Sequence, residues 1–252
     1  RGGFLPEAKD GAMLLTMSRG GNENNQLYFF DPKSNRTVRL TDGSSRNRIG
    51  AITDDGSKMV ISSNLRNRRD TDLYIADPRQ SGSMKLVFQT DREYWYAADW
   101  SPDKRQLLLG RYVSINESYF ALLDVETGQR TDLPLPGNGK AAIGSLAFGP
   151  EGRSVYLTTD ARGEFRALGR LDLESRRYHW LTDEIHWDVR GLTIDRKSGR
   201  IAFAVNDGNL FCSVGADGSL RLFDQYRRAL TDALANTDKL APVERTVEPG
   251  RE

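Results

Sequence analysis

Two groups of residues in this chain have the types to do chemistry. His186 stands with Asp183, Glu184 and Asp188 in one short stretch, a mixture of imidazole and carboxylates able in principle to hold a metal or move a proton. Its spacing is not that of a two-histidine zinc motif, and a carboxylate-rich loop is ordinarily solvated. No metal, cofactor or acid–base centre is expected there. The second group is aromatic and charged: Tyr94-Trp95-Tyr96 and Ile185-His186-Trp187, with Arg19, Arg66, Arg111, Asn116, Glu117 and Arg162. Rings combined with Arg and a carboxylate are the equipment of a recognition surface. A serine nucleophile, by contrast, needs a positioned base, and its common elbow form reads G-x-S-x-G. No serine here has glycine two residues before and two after, and the histidines are His179 and His186 alone. No catalytic residue is expected in the chain.

The elements that must position these residues are visible as a repeat. Turns of similar chemistry recur at Ala8-Lys9-Asp10-Gly11, Thr53-Asp54-Asp55-Gly56, Ser101-Pro102-Asp103-Lys104, Gly149-Pro150-Glu151-Gly152 and Arg196-Lys197-Ser198-Gly199, their last residues 45, 48, 48 and 47 positions apart. Pro presets one turn angle, while Asp and Gly supply a turn hydrogen bond and a permissive backbone. Each turn leads into a β-branched or aliphatic run, such as Met59 to Ser62 or Ser154 to Thr158, which reads as a strand. A polar loop follows, then a strand ending in Asp31, Asp77, Asp124 or Asp172, a tight turn that this Asp should cap, and a last strand such as Thr37 to Leu40. An apolar strand such as Ala97 to Trp100 precedes the next turn.

Four antiparallel strands at this period are the signature of a β-propeller blade. The expected fold is all-β, with about five four-stranded blades over residues 1–224, possible as an incomplete or open array. The first blade lacks an innermost strand unless Gly3 to Pro6 supplies it. From Gln225 the pattern stops, and Tyr226, Ala229, Leu230, Ala233 and Leu234 fall at helical spacing. A short helix or loose tail is expected over 225–252. Strand reversal places the loops after the second and fourth strands at one end of each blade, and the aromatic and charged group falls on those loops. The alternative for Trp95 and Trp187 is simple packing between neighbouring blades.

Composition narrows the classes of partner. Lys and Arg total 36 against 35 Asp and Glu, a net charge of +1, which gives no electrostatic reason to expect nucleic acid. The longest apolar runs are too short to cross a bilayer, so no membrane is expected and a soluble chain, cytoplasmic or periplasmic, is. A single cysteine, Cys212, excludes an internal disulfide and a thiolate metal cluster. The basic run Arg66-Asn67-Arg68-Arg69 is followed at once by Asp70 and Asp72, well within a Debye length, and reads as a solvated loop.

Several stretches resemble propeller segments of bacterial prolyl-oligopeptidase-family serine peptidases: Arg19 to Asn24, Thr71 to Tyr74, Ala98 to Asp103, Val113 to Tyr119, Tyr156 to Asp160, Trp187 to Val189 and Gly191-Leu192. The turn motif by itself is shared with Tol-system propellers. The resemblance implies a non-catalytic propeller that admits peptides and is joined to an α/β-hydrolase domain carrying the triad. On that reading the chain gates and recognises peptide substrate, with Arg111, Glu117, Tyr94, Trp95 and Trp187 as its contacts. The rival is a stand-alone protein-binding scaffold of the Tol type.

Overall fold

The computed structural model describes residues 2–18, 20–137, 139–183, 185–205, 210–214 and 220–224. They form twenty strands in five four-stranded antiparallel sheets, and among the described residues there is no helix. The first sheet is β1 (Gly2–Phe4), β2 (Met13–Met17), β3 (Gln26–Asp31) and β4 (Arg36–Arg39); the second is β5 (Asn47–Ile52), β6 (Met59–Ser63), β7 (Asp72–Ala76) and β8 (Lys85–Phe88). The third is β9 (Tyr94–Trp100), β10 (Gln106–Ser114), β11 (Glu117–Asp124) and β12 (Arg130–Asp132). The fourth is β13 (Ile143–Phe148), β14 (Ser154–Thr159), β15 (Ala167–Asp172) and β16 (Tyr178–Trp180); the fifth is β17 (Val189–Asp195), β18 (Arg200–Val205), β19 (Leu210–Val214) and β20 (Leu220–Asp224). Consecutive strands are neighbours in every sheet, the meander of a propeller blade.

The chain divides into two compact units, Arg1–Pro134 with the first three blades and Leu135–Glu252 with the last two. The innermost strand of the first blade, expected to be missing unless Gly3 to Pro6 supplied it, is present one residue earlier, as Gly2–Phe4. Gly2–Phe4 pairs with Met13–Leu15 as a full innermost strand, which two glycines made hard to read as one. The helix expected over 225–252 lies outside the described residues.

The repeat turns hold the same backbone conformation in all five blades. Gly11, Gly56, Lys104, Gly152 and Gly199 have φ of 73°, 65°, 59°, 70° and 70°, the left-handed region that glycine enters without steric cost and lysine does not. The aspartates after the third strands cap as expected: Asp31 accepts from the Lys33 N–H (2.9 Å), Asp77 from Arg79 (2.8 Å), Asp124 from Thr127 (2.8 Å) and Asp172 from Ser175 (2.8 Å).

A second regularity sits in the inner strands. The register of β5 on β6, β9 on β10, β13 on β14 and β17 on β18 shifts by one residue within each inner strand, a β-bulge that adds one residue to one side of the ladder. In the third blade the bulge lies between Ala97 and Asp99. Simple alternation would split Trp95 and Ala97 from Trp100, yet all three enter one core with Val60, Leu73, Leu107 and Leu109, packed against Val87 and Phe88 of the second blade. The first and second blades close over Leu27, Met59 and Ile61, and the fourth and fifth over Leu168, Val189 and Phe203.

Candidate recognition site on the third blade

Among the described residues the β10–β11 hairpin is the longest, with strands of nine and eight residues. Its extra length lifts Arg111, Tyr112, Glu117 and Tyr119 toward the loop end. Arg111 stands directly opposite Trp95 on one side and Tyr119 on the other, and cross-strand pairs share a face. The guanidinium carbon lies 5.9 Å from the Trp95 ring centre and 5.6 Å from that of Tyr119, within cation–π range. One Nη of Arg111 is 2.7 Å from a Glu93 carboxylate oxygen, and the Trp95 indole N–H donates to the other Glu93 oxygen, also at 2.7 Å. The Tyr119 hydroxyl donates to Glu117 at 2.7 Å. One carboxylate thus pairs with the guanidinium, a tryptophan and a tyrosine lie beside it, and the tyrosine holds a second carboxylate, Glu117.

The five residues singled out in the sequence are placed unequally. Arg111 and Glu117 come together through Tyr119, and the Arg111 side chain stays one-third exposed (33 %). Trp95 is 2 % exposed and meets Phe88 edge-on at 5.7 Å, so the packing alternative describes it and it is the floor of the site. Tyr94 falls on the opposite face of the sheet, 44 % exposed. Trp187 belongs to the second unit, 47 % exposed, with its ring 6.3 Å from that of Phe165. Arg19 and Glu184 lie outside the described residues.

Sequence reasoning missed Glu93 and Arg130. Glu93 precedes Trp95 by two positions, so alternation alone puts both on the face of Arg111; the signal was present once the β9–β10 register is known. Arg130 stacks on the same tryptophan, its guanidinium carbon 4.7 Å from the Trp95 ring centre and 5.9 Å from Phe88. Its β12 position at the far end of the hairpin hides this reach, and Arg130 is not independent of the site.

The Arg66 to Arg69 loop is exposed, as expected, but its arginines are held by specific ion pairs. Arg66 forks onto Asp72 (Nε 2.6 Å, Nη2 3.1 Å) and reaches the Thr90 carbonyl oxygen (2.9 Å), while Arg69 pairs with Asp70 (3.0 Å) and Arg68 with Asp42 (3.1 Å). Asp72 is fully buried and also accepts from the Thr90 N–H (2.8 Å). These charges tie the β6–β7 loop to the segment entering β9. Among the described residues no three His, Cys, Asp or Glu side chains converge as metal ligands.

On the face opposite Arg111, Tyr112 stands directly across from Tyr94, and Gly110 across from Tyr96. The Tyr96 ring lies over Gly110 so closely that a Cβ there would fall 2.3 Å from the Tyr96 Cζ. Burial pushes the Tyr96 hydroxyl above the usual phenol range, and Tyr94 adds to the effect. Arg48, on β5, donates to the Tyr94 hydroxyl at 3.2 Å.

The fold and this geometry define the chain as a set of β-propeller blades. No family model and no curated protein matches its sequence. Among solved structures it is similar to a putative TolB from Agrobacterium tumefaciens, at 18 % identity and a TM-score of 0.62, covering 88 % of this chain and 80 % of that one. It is also similar to a prolyl endopeptidase (12 % identity, TM-score 0.69, 89 % of this chain and 35 % of that one) and to a puromycin-hydrolyzing peptidase of Mycobacterium tuberculosis (12 %, 0.65, 87 % and 37 %). The chain therefore spans most of the TolB protein but little more than a third of either peptidase. At these identities the likeness defines the fold.

Proposed function

We propose that this chain is a substrate-recognising propeller for short or unfolded peptides, non-catalytic itself and working with an α/β-hydrolase domain of the prolyl-oligopeptidase type. The observation that carries the reading is the Arg111 guanidinium held between Glu93 and the Tyr119–Glu117 pair on a hairpin longer than its counterparts. A cation paired with Glu93, partly dry and braced on rings, can hold a peptide carbonyl with its remaining donors while Glu117 takes an amino terminus. The resemblance in sequence and the peptidases among similar structures support it.

The rival reading, a protein-binding scaffold that stands alone, has a specific observation behind it: the chain covers 80 % of a TolB-like structure. One fold serves both functions, so the site must separate them. The test is peptide affinity by calorimetry for Arg111→Ala and Glu117→Ala beside Arg36→Ala, an exposed position on the outer strand of the first blade. Loss of about tenfold or more at the first two, with Arg36→Ala unchanged, is the expected result for desolvated charged contacts. Acetylating the peptide amino terminus should reproduce the Glu117→Ala loss. Equal and small changes in all three variants would overturn peptide recognition here and leave the scaffold.

A further inference from the structure

The alternation that turns Trp95 and Arg111 toward the second blade turns Tyr94, Tyr96 and Tyr112 to the other face of the same two strands. Tyr94 and Tyr112 form a cross-strand pair, 44 % and 51 % exposed, and Tyr96 lies flat on Gly110 beside them. Arg48 closes one end through the Tyr94 hydroxyl. Among the described residues Arg48 has no carboxylate partner, whereas Arg66, Arg68, Arg69 and Arg111 each have one.

We propose that Arg48 and the Tyr94–Tyr96–Tyr112 face form a second subsite, one that binds the free carboxyl terminus of an extended peptide with aromatic side chains at its last and third-from-last positions. Two observations choose this occupant. The Arg48 guanidinium, whose hydrogen-bond partner here is a neutral hydroxyl, can still take a carboxylate. The Tyr94 and Tyr96 ring centres are 6.2 Å apart, which fits alternate side chains of an extended chain, about 6.6 Å apart at roughly 3.3 Å per residue. A peptide in that conformation sets its carboxylate on Arg48, its last side chain on Tyr94 and its third-from-last on Tyr96. Offset contact between rings then supplies the apolar part of binding.

This subsite rests on the peptide-recognition reading, and the experiment keeps the two apart. The probe is a pentapeptide ending Phe-Ala-Phe, compared as free acid and as carboxyl amide, with affinity measured by calorimetry on the full chain. The free acid should bind about tenfold more tightly, the scale of one charge-assisted contact. Arg48→Ala should erase that difference by weakening the acid far more than the amide, and Tyr112→Ala should weaken both forms. Replacing both Phe residues by Ala should cost affinity in wild type and little in Tyr94→Ala. Acid and amide of equal affinity, or a difference that survives Arg48→Ala, overturns the subsite while peptide recognition at Arg111 stands. Absence of any peptide binding overturns both.

Discussion

At one end of the blades, Gly11, Gly56, Lys104, Gly152 and Gly199 repeat a single backbone conformation, and an Asp after each described third strand of the first four blades repeats a single cap. At the other end the loops keep little in common beyond a threonine, whose hydroxyl accepts from the Leu27 N–H in the first blade (Thr41, 3.1 Å) and the Leu168 N–H in the fourth (Thr182, 2.8 Å). There the second blade holds Arg66 on Asp72, and the third holds Arg111 on Glu93. The turn end repeats its local bonds from blade to blade and adds a few ion pairs between blades, Lys104 with Asp55 and Arg79 with Asp10. The loop end is bonded across blades and across long separations, Arg66 reaching Thr90 and Arg48 reaching Tyr94. Uniform local chemistry therefore sets the scaffold, and particular long-range contacts set the site.

The comparison can be broken hardest at Asp72. Its replacement by Ala leaves the Thr90 N–H without an acceptor and Arg66 without its fork, and should cost about 3 kcal/mol in urea unfolding. A loss below about 1 kcal/mol would mean that the loop-end network contributes little. Gly110→Ala comes next: the new Cβ meets the Tyr96 ring, and the cost expected for such overpacking is about 1–3 kcal/mol, with peptide affinity on the tyrosine face falling as Tyr96 is displaced.

At the turn end the effects are smaller and should follow φ. Gly56→Ala forces a side chain into the left-handed region, 2.7 Å from the Pro6 carbonyl oxygen, for about 1–2 kcal/mol. Lys104→Gly relieves the same strain but gives up the Lys104–Asp55 ion pair, so its net change in unfolding free energy should stay below about 1 kcal/mol.

Acid provides the mildest probe. Hydrogen bonds from Ser34, Thr127, Ser175 and Ser198 hold Asp31, Asp124, Asp172 and Asp195 below the usual carboxylate range. A carboxylate with a depressed folded-state pKa contributes stability above its unfolded value, near 3.8, and loses it as pH falls through the folded value. Unfolding midpoints should hold from pH 7 to 5 and decline below 4. A midpoint that rises on acidification would show that these caps do not stabilise the turns.

The turn end was legible in the sequence because its determinants lie within four residues of each other: Asp103 bonds Ser101 and Arg105, and Asp55 bonds Ser57. Strand positions followed from them. Glu93 and Arg130 were not legible as partners of Trp95, since one depends on the register of β9 on β10 and the other on the reach of a long side chain between blades. The grip of the exposed Arg66 on Asp72 was hidden for a related reason. Adjacent opposite charges look solvated when nothing in the string shows that Asp72 is buried.

The bulge within each of four inner strands acts as a register buffer. An extra residue already stands between the loop half of the strand, which carries Tyr94 and Trp95, and the turn half, which carries Trp100. Insertions or deletions above it can be absorbed there instead of flipping the buried residues below to the wrong face. Selection, or a protein engineer, can thus lengthen and re-cut the loops of one blade at a time, as the β10–β11 hairpin already illustrates, without rewriting the core beneath.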